Sequence, residues 1–120
     1  TNTSMGEGFG LSLVEGAAAG VPVLCPAHGN QKDVWQKGAE FIKLERSEYM
    51  AGTEFKGDVI SIDDFASKLE KFYKDREFCR EMGRAAFDQI NEKKFDWAEI
   101  SNKVYDVLMR ANKDRINLIS

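Results

Sequence analysis

Two carboxylates eight positions apart, Glu7 and Glu15, bracket the run Gly8-Phe9-Gly10-Leu11-Ser12 in a stretch that carries no other charge. Glycines at 6, 8 and 10 allow backbone amides to approach a ligand closely, and the helix expected to start at Leu11 adds free N–H groups and a positive dipole end. That combination favours an anion, phosphate or diphosphate above all. Acids beside an anion cost free energy unless each carboxylate faces a neutral donor such as a sugar hydroxyl. The pattern therefore points to a polyhydroxylated ligand that is also anionic. Glu7 precedes the helix and can project from the loop tip, whereas Glu15 lies about one turn inside, roughly 6 Å further along the axis. A nucleotide sugar has the matching order: hydroxyls on the sugar, a diphosphate, then hydroxyls on the ribose.

Other ligands of glycine loops fit less well. The dinucleotide fingerprint G-x-G-x-x-G needs a third glycine where this chain has Leu11 or Leu13, which disfavours a dehydrogenase. No Gly-Lys-[Ser/Thr] follows the glycines, so there is no P-loop. The net charge of −3 and pI near 5.2 leave no excess of Lys or Arg to neutralise a phosphate backbone, and nucleic acid is a poor partner.

The 120 residues suffice for one ordinary domain, and a composition 42% hydrophobic, 31% charged and 11% aromatic excludes disorder and disulfide scaffolds. No run approaches the ~20 apolar residues of a membrane span, and the start shows neither a basic segment nor an apolar signal core. Cys25 and Cys79 form no C-x-x-C pair, which fits a reducing compartment and no zinc site. The chain reads as cytoplasmic. Its opening on Thr1 reads as the end of a strand or loop within a longer protein.

Charge divides the chain: up to Gln31 only Glu7 and Glu15 are ionised, and the other 35 charged residues follow. The first part reads as a site and the second as scaffold. A helix from Leu11 to Ala19 is expected to bury Leu11, Val14 and Ala18 and to end at Gly20. A strand over Val21–Cys25 follows, with Pro22 tolerated near its start. Asn30 is expected to cap a short helix, with Asp33 reaching back and Gly38 ending it. A second strand spans Phe41–Leu44, and residues 45–57 read as a long loop or insertion before a short strand at Asp58–Ile60. Ser61 with Asp64 forms a capping box for a helix to Tyr73 that buries Phe65, Leu69 and Phe72. Another helix covers Glu77–Asn91, with the charged run from Lys71 to Glu81 a solvated face. Asp96 with Glu99 caps a last helix whose stripe Trp97, Ile100, Val104, Val107, Leu108 and Ala111 reads as core. His28 is expected on a surface loop. The alternation of strands and helices implies an α/β fold, a parallel sheet with flanking helices.

The segment from Ser4 through Gly6-Glu7-Gly8-Phe9-Gly10-Leu11, Glu15-Gly16-Ala17 and Gly20-Val21-Pro22-Val23 resembles the signature of retaining glycosyltransferases of family 4. That signature is P-S-x-x-E-G-F-G-L-x-x-x-E-A-M-A-x-G-x-P-V, and its E-x7-E spacing is reproduced by Glu7 and Glu15. Asp75-x-Glu77 with Met82-Gly83, and Phe95-Asp96-Trp97, extend the similarity over nearly the whole chain. The resemblance implies a Rossmann-like fold, the second half of the C-terminal domain of a two-domain GT-B enzyme, with a nucleoside diphosphate sugar bound in the interdomain cleft. By motif position, Glu7 is the candidate catalytic residue, binding donor-sugar hydroxyls, and Glu15 binds the ribose. Gly8, Phe9, Gly10, Leu11 and Ser12 hold the sugar and diphosphate. The implied reaction transfers the sugar with anomeric retention to an acceptor hydroxyl on a glycan or a lipid-linked molecule, without metal or other cofactor. The implied partner is the acceptor-binding N-terminal domain of the same enzyme, through which peripheral contact with the cytoplasmic membrane face stays open. The C-terminal helix and tail from 97 to 119, with Ile116, Leu118 and Ile119, are expected to dock on that domain.

The chain departs from the pattern at Thr3 for the usual proline, at Gly16-Ala17 for Ala-Met, at Gly29-Asn30 for Gly-Gly, and in the insertion over 45–57. The family's basic residues that balance diphosphate charge lie upstream, so the chain alone is expected not to turn over. The rival reading is a non-catalytic nucleotide- or partner-binding module that has kept the fold. Glu7 and Glu15 argue against it, because such a module needs no acids beside an anion site.

Overall fold

A computed structural model describes residues 1–119, with side-chain surroundings described through residue 112, and divides the chain into two compact units, Thr1–Ile90 and Asn91–Ser120. In the first unit the chain starts extended beside the strand β1 (Val23–Pro26): Asn2 N and Thr1 Oγ1 donate to Leu24 O at 3.0 and 2.9 Å. The chain then turns through the glycine loop into α1 (Leu11–Ala18), returns as β1, and passes through α2 (Gly29–Val34) to β2 (Ala39–Ile42). β1 and β2 pair in parallel, Val23 opposite Ala39 and Pro26 opposite Ile42. All four β1 residues are buried, as a parallel strand covered on both faces requires. The mixed α/β fold with a small parallel sheet and flanking helices is the expected class.

Leu13, Ala17, Val23, Cys25, Trp35 and Ala86 make the core, ringed by Val14, Val34, Ala39, Phe41 and Ile90. The face of α1 turned inward is thus Leu13 and Ala17, one turn apart, and the expected stripe is corrected: Leu11 is 66% exposed and Ala18 is exposed. Both stripes fit helical spacing in this Leu- and Ala-rich segment. Packing against α4 (Arg76–Ile90) and β1 selects between them. That packing is close, since a Cβ on Gly83 would overlap the carbonyl of Gly20. Burial pushes the Cys25 thiol up to about 12, leaving it a neutral core group.

Residues 45–57 are not the loop their composition suggests. β3 (Leu44–Tyr49) and β4 (Lys56–Ile60) form an antiparallel hairpin, bulged at Glu45, with Gly52 at φ 77 in its turn. Its strand residues Glu45 to Tyr49 are all exposed, so no buried face writes the period-2 apolar pattern that identifies a strand. Ladder bonds and the cross-strand bond from Ser47 Oγ to Asp58 Oδ1, 2.7 Å, hold it instead. The second expected strand accordingly splits, β2 ending at Ile42 and β3 starting at Leu44.

α3 (Ile62–Lys74) starts on Ser61, whose Oγ accepts from Asp64 N at 3.4 Å. The other half of the capping box is not made. Asp64 Oδ2 accepts instead from Lys43 N and from Lys68 Nζ, each at 2.8 Å, and Lys68 Nζ also donates to Phe41 O, tying α3 to the end of β2. Phe65 and Phe72 are half-buried and Leu69 is 42% exposed, because α3 covers the edge of a two-stranded sheet rather than a deep core. Asp75 caps α4 through Phe78 N at 2.9 Å, and Phe72 stacks on Phe78 with centroids 5.3 Å apart. Lys71 in the charged run reaches the Phe78 ring and Glu40 rather than solvent alone.

The bond from Lys68, then that from the Lys43 amide, hold the Asp64 carboxyl below the usual aspartate range. The resulting stabilisation is complete above the unfolded aspartate pKa of about 3.9 and disappears as pH falls through the lower folded value. Urea midpoints measured from pH 7 to pH 2 should therefore fall below about pH 4 in the wild type. Asp64→Asn should start lower at pH 7 and lose less on acidification; equal slopes for the two proteins would contradict this.

The second unit is a 3-10 turn at Lys93–Phe95 and the helix α5 (Trp97–Ile119). Asp96 Oδ1 accepts from Glu99 N at 3.0 Å, which makes one bond of the expected cap. The apolar stripe does not form a core within this unit: Trp97 is 78% exposed, and Val104, Val107 and Leu108 are more than half exposed. Spacing produced the stripe, but inside the unit only the preceding turn packs on the helix. The side chains of Ile116, Leu118 and Ile119 lie outside the described residues. Among the described residues no helix is long and apolar enough to cross a membrane.

Candidate functional site

The loop from Ser4 to Gly10 is built by three side chains and one turn. Asn2 Oδ1 accepts from Ser4 N at 2.7 Å, a local turn that redirects the chain away from β1. Its Nδ2 donates to Glu7 Oε2 at 2.9 Å, while Gly8 N donates to Glu7 Oε1 at 3.1 Å. Both carboxylate oxygens of Glu7 are thereby oriented at the loop tip, each keeping lone-pair capacity for a further donor. Asn30, inside α2, donates from Nδ2 to Gly8 O at 3.1 Å and to Glu7 O at 3.5 Å, fixing the loop from the other side. It does not cap α2 as expected; the capping position is His28, whose side chain makes no capping bond.

His28 is 7% exposed rather than on a surface loop, and its Nε2 lies 3.4 Å from Ser4 O. Anchoring a bend of the loop gives it a reason to be buried. Gly10 then takes the left-handed conformation, φ 77 and ψ 54, and its carbonyl receives Leu13 N and Val14 N at 2.9 and 3.2 Å. This leaves the amides of Leu11 and Ser12 at the open N-terminus of α1. Beneath the turn lies Gln31, 1% exposed, with Oε1 and Nε2 unpartnered within the protein.

Of the residues expected at the site, Glu7, Gly8, Phe9, Gly10, Leu11 and Ser12 form one continuous rim on a single loop and helix end. Gly8, Leu11 and Ser12 are exposed, Phe9 is 44% exposed and Gly10 is buried. Glu15 stands four residues beyond Leu11 on the same exposed face of α1, with no side-chain partner among the described residues. The two acids are therefore separate positions along one surface rather than a coupled pair. Between them, helix-end amides offer a place to an anion. No Lys or Arg occurs in the first 31 residues, so the positive potential that this segment itself supplies comes from backbone N–H groups and the helix dipole.

Asn2, His28, Asn30 and Gln31 are the contributors that sequence reasoning missed. His28 left a trace as the sole histidine, following the first strand, and Asn30 as the departure from Gly-Gly at 29–30.

A sequence model of the family described as glycosyl transferases group 1 matches residues 2–89, almost the whole of the first unit. A comparison with curated proteins finds no match.

Proposed function

The chain belongs to the group 1 glycosyl transferases, and from that premise we propose that its Glu7–Glu15 surface binds the nucleoside diphosphate sugar of a retaining transfer. In this reading it is the second half of the donor-binding C-terminal domain of a GT-B enzyme of family 4, partnered by an acceptor-binding N-terminal domain. The observation that carries the proposal is the Glu7 carboxylate, held by Asn2 and Gly8 N beside the open amides of α1. Glu7 accepts hydrogen bonds from hydroxyls of the donor sugar. The amides of Leu11 and Ser12 receive the diphosphate, and Glu15, one turn along, accepts from the ribose. As the reaction proceeds the bond from the anomeric carbon to the diphosphate breaks, a bond to the acceptor oxygen forms, and the acceptor proton leaves with the diphosphate. Negative charge builds on the departing phosphate, where the helix N-terminus stabilises it.

Calorimetry with UDP, GDP and ADP and their hexose conjugates tests this on the wild type, Glu15→Ala and Glu7→Ala. Glu15→Ala should weaken every nucleoside diphosphate tenfold or more, the size of one charge-assisted hydrogen bond of roughly 1.5–3 kcal/mol. Glu7→Ala should weaken only the sugar-bearing forms. Sugar-nucleotide binding as indifferent to Glu7 as that of the bare nucleoside diphosphates would favour a non-catalytic nucleotide module. No binding at millimolar concentration would count against the donor reading.

A further inference from the structure

Asn30 stands on the first turn of α2, exposed, and its amide meets the loop that carries Glu7. Hydrogen-bond chemistry fixes which way that amide faces. The atom 3.1 Å from Gly8 O and 3.5 Å from Glu7 O must be Nδ2, because an amide oxygen there would oppose two carbonyl oxygens. Oδ1 therefore points away from the loop backbone, an acceptor with no partner among the described residues. The loop does not depend on Asn30 alone for its place. Asn2 bonds Ser4 N and Glu7 Oε2. Asp58 N on β4 donates to Met5 O at 2.8 Å, and Gly57 packs so closely that a Cβ there would lie 2.8 Å from the Met5 Cβ. The backbone of α2 makes no demand for a particular residue either, since neither Gly29 nor Asn30 has a positive φ. The glycine that the glycosyltransferase signature has at position 30 would serve that backbone as well. What asparagine adds is its side chain.

We infer that Asn30 is a specificity-determining contact of the donor sugar, its Oδ1 accepting from a hydroxyl that neighbours the one held by Glu7. The inference rests on the donor reading, which puts the sugar at the Glu7 carboxylate. Nδ2 lies within 3.5 Å of Glu7 O, so the free oxygen stands beside Glu7 rather than at the Glu15 end of α1. Together the two side chains present acceptors only. Both Glu7 oxygens already take one N–H each, from Asn2 and Gly8, and keep lone pairs for a ligand, while Asn30 adds one amide oxygen. Neighbouring acceptors fit a sugar with two adjacent unsubstituted hydroxyls, each donating one bond. They oppose a sugar carrying a carboxylate or phosphate on that edge, which would meet like charge at Glu7 and find no donor at Oδ1.

Calorimetry with UDP-glucose, GDP-mannose and ADP-glucose, and with analogues lacking one hexose hydroxyl at a time, tests the contact. For the nucleotide that binds, the wild type should penalise the loss of two neighbouring hydroxyls. The penalty should be about fivefold for the one at the neutral Oδ1 and about tenfold or more for the one at the Glu7 carboxylate. Asn30→Ala should bind the parent sugar nucleotide about fivefold more weakly, leave the bare nucleoside diphosphate unchanged, and erase the first penalty alone. Glu7→Ala should erase the second, as a double-mutant cycle between side chain and hydroxyl requires of groups in contact. Alanine suits an exposed helical position, so the urea midpoint of Asn30→Ala should stay near that of the wild type. If Asn30 only held the loop, Asn30→Ala would weaken parent and analogues alike with both penalties intact, and that result overturns the inference. A bare nucleoside diphosphate weakened as much as its sugar conjugate overturns it too. A hydroxyl penalty that depends on Glu7, with none that depends on Asn30, defeats the Asn30 contact and leaves the donor reading standing. Sugar nucleotides that ignore Glu7, or no nucleotide binding at all, defeat the donor reading and the contact with it.

Discussion

Gln89→Met is expected to cost about 3 kcal/mol, a large share of the 5–15 kcal/mol that holds a domain of this size together. Gln89 on α4 is 1% exposed, and its amide closes the α2 end of the fold. Oε1 accepts from Gln36 N and Lys37 N at 2.8 and 2.5 Å, and Nε2 donates to Val34 O at 2.6 Å. The turn after α2 has lost helical partners, and this one side chain replaces them from 52 to 55 residues away. Methionine keeps the volume but leaves two donors and one acceptor unanswered, each costing about 1–3 kcal/mol where water cannot reach. Partial access of water to the Gln36 and Lys37 amides keeps the total near the lower end. Urea unfolding followed by far-UV circular dichroism measures it. A loss under about 1 kcal/mol would mean that these three bonds contribute little net stability.

Gly10→Val should damage the site more than the fold. A β-branched residue at φ 77 is a conformational outlier, costing more than the roughly 1–2 kcal/mol an ordinary L-residue loses there. Its Cβ would also lie 3.1 Å from Gln31 Nε2, tighter than ordinary packing. The chain can escape only by turning the peptide at Gly10, which withdraws the carbonyl that starts α1 and re-aims the amides of Leu11 and Ser12. The buried contacts of Leu13 and Ala17 survive that change, so the unit should stay folded. Affinity for nucleoside diphosphates should fall at least about tenfold, or 1.4 kcal/mol. Gly8→Ala is the contrast for stability, since open space surrounds Gly8 and its φ is not positive; its unfolding free energy should stay within about 0.5 kcal/mol of wild type. Undiminished nucleotide affinity in Gly10→Val would remove the left-handed turn from the account of the site.

The family was legible in one window, because glycine spacing and the two acids depend on local backbone geometry that neighbouring residues dictate. Gly10 needs its left-handed conformation and α1 its start whatever else surrounds them. The same locality made the caps at Ser61 and Asp96 readable, each at the bond its own residues can make. Where a choice needed a second element, sequence could not make it. Leu11-Val14-Ala18 and Leu13-Ala17 are both plausible inner faces of α1, and only α4 and β1 on one side decide for the latter. Asp64 could have closed its own capping box, but the backbone of Lys43 and the ammonium of Lys68 offer its carboxylate stronger partners. The hairpin over 44–60 has exposed strands, so nothing in its hydrophobicity marks it; backbone pairing and its anchorage to Met5 create it. The stripe on α5 shows the converse, a clear period that its own unit leaves uncovered. By itself, then, the sequence determined the loop, the helix it feeds and the acids along their rim, all products of short-range stereochemistry. That His28 and Asn30 hold that loop in place was decided by tertiary structure alone, because hydrogen bonds between residues more than 20 positions apart leave no mark in local sequence.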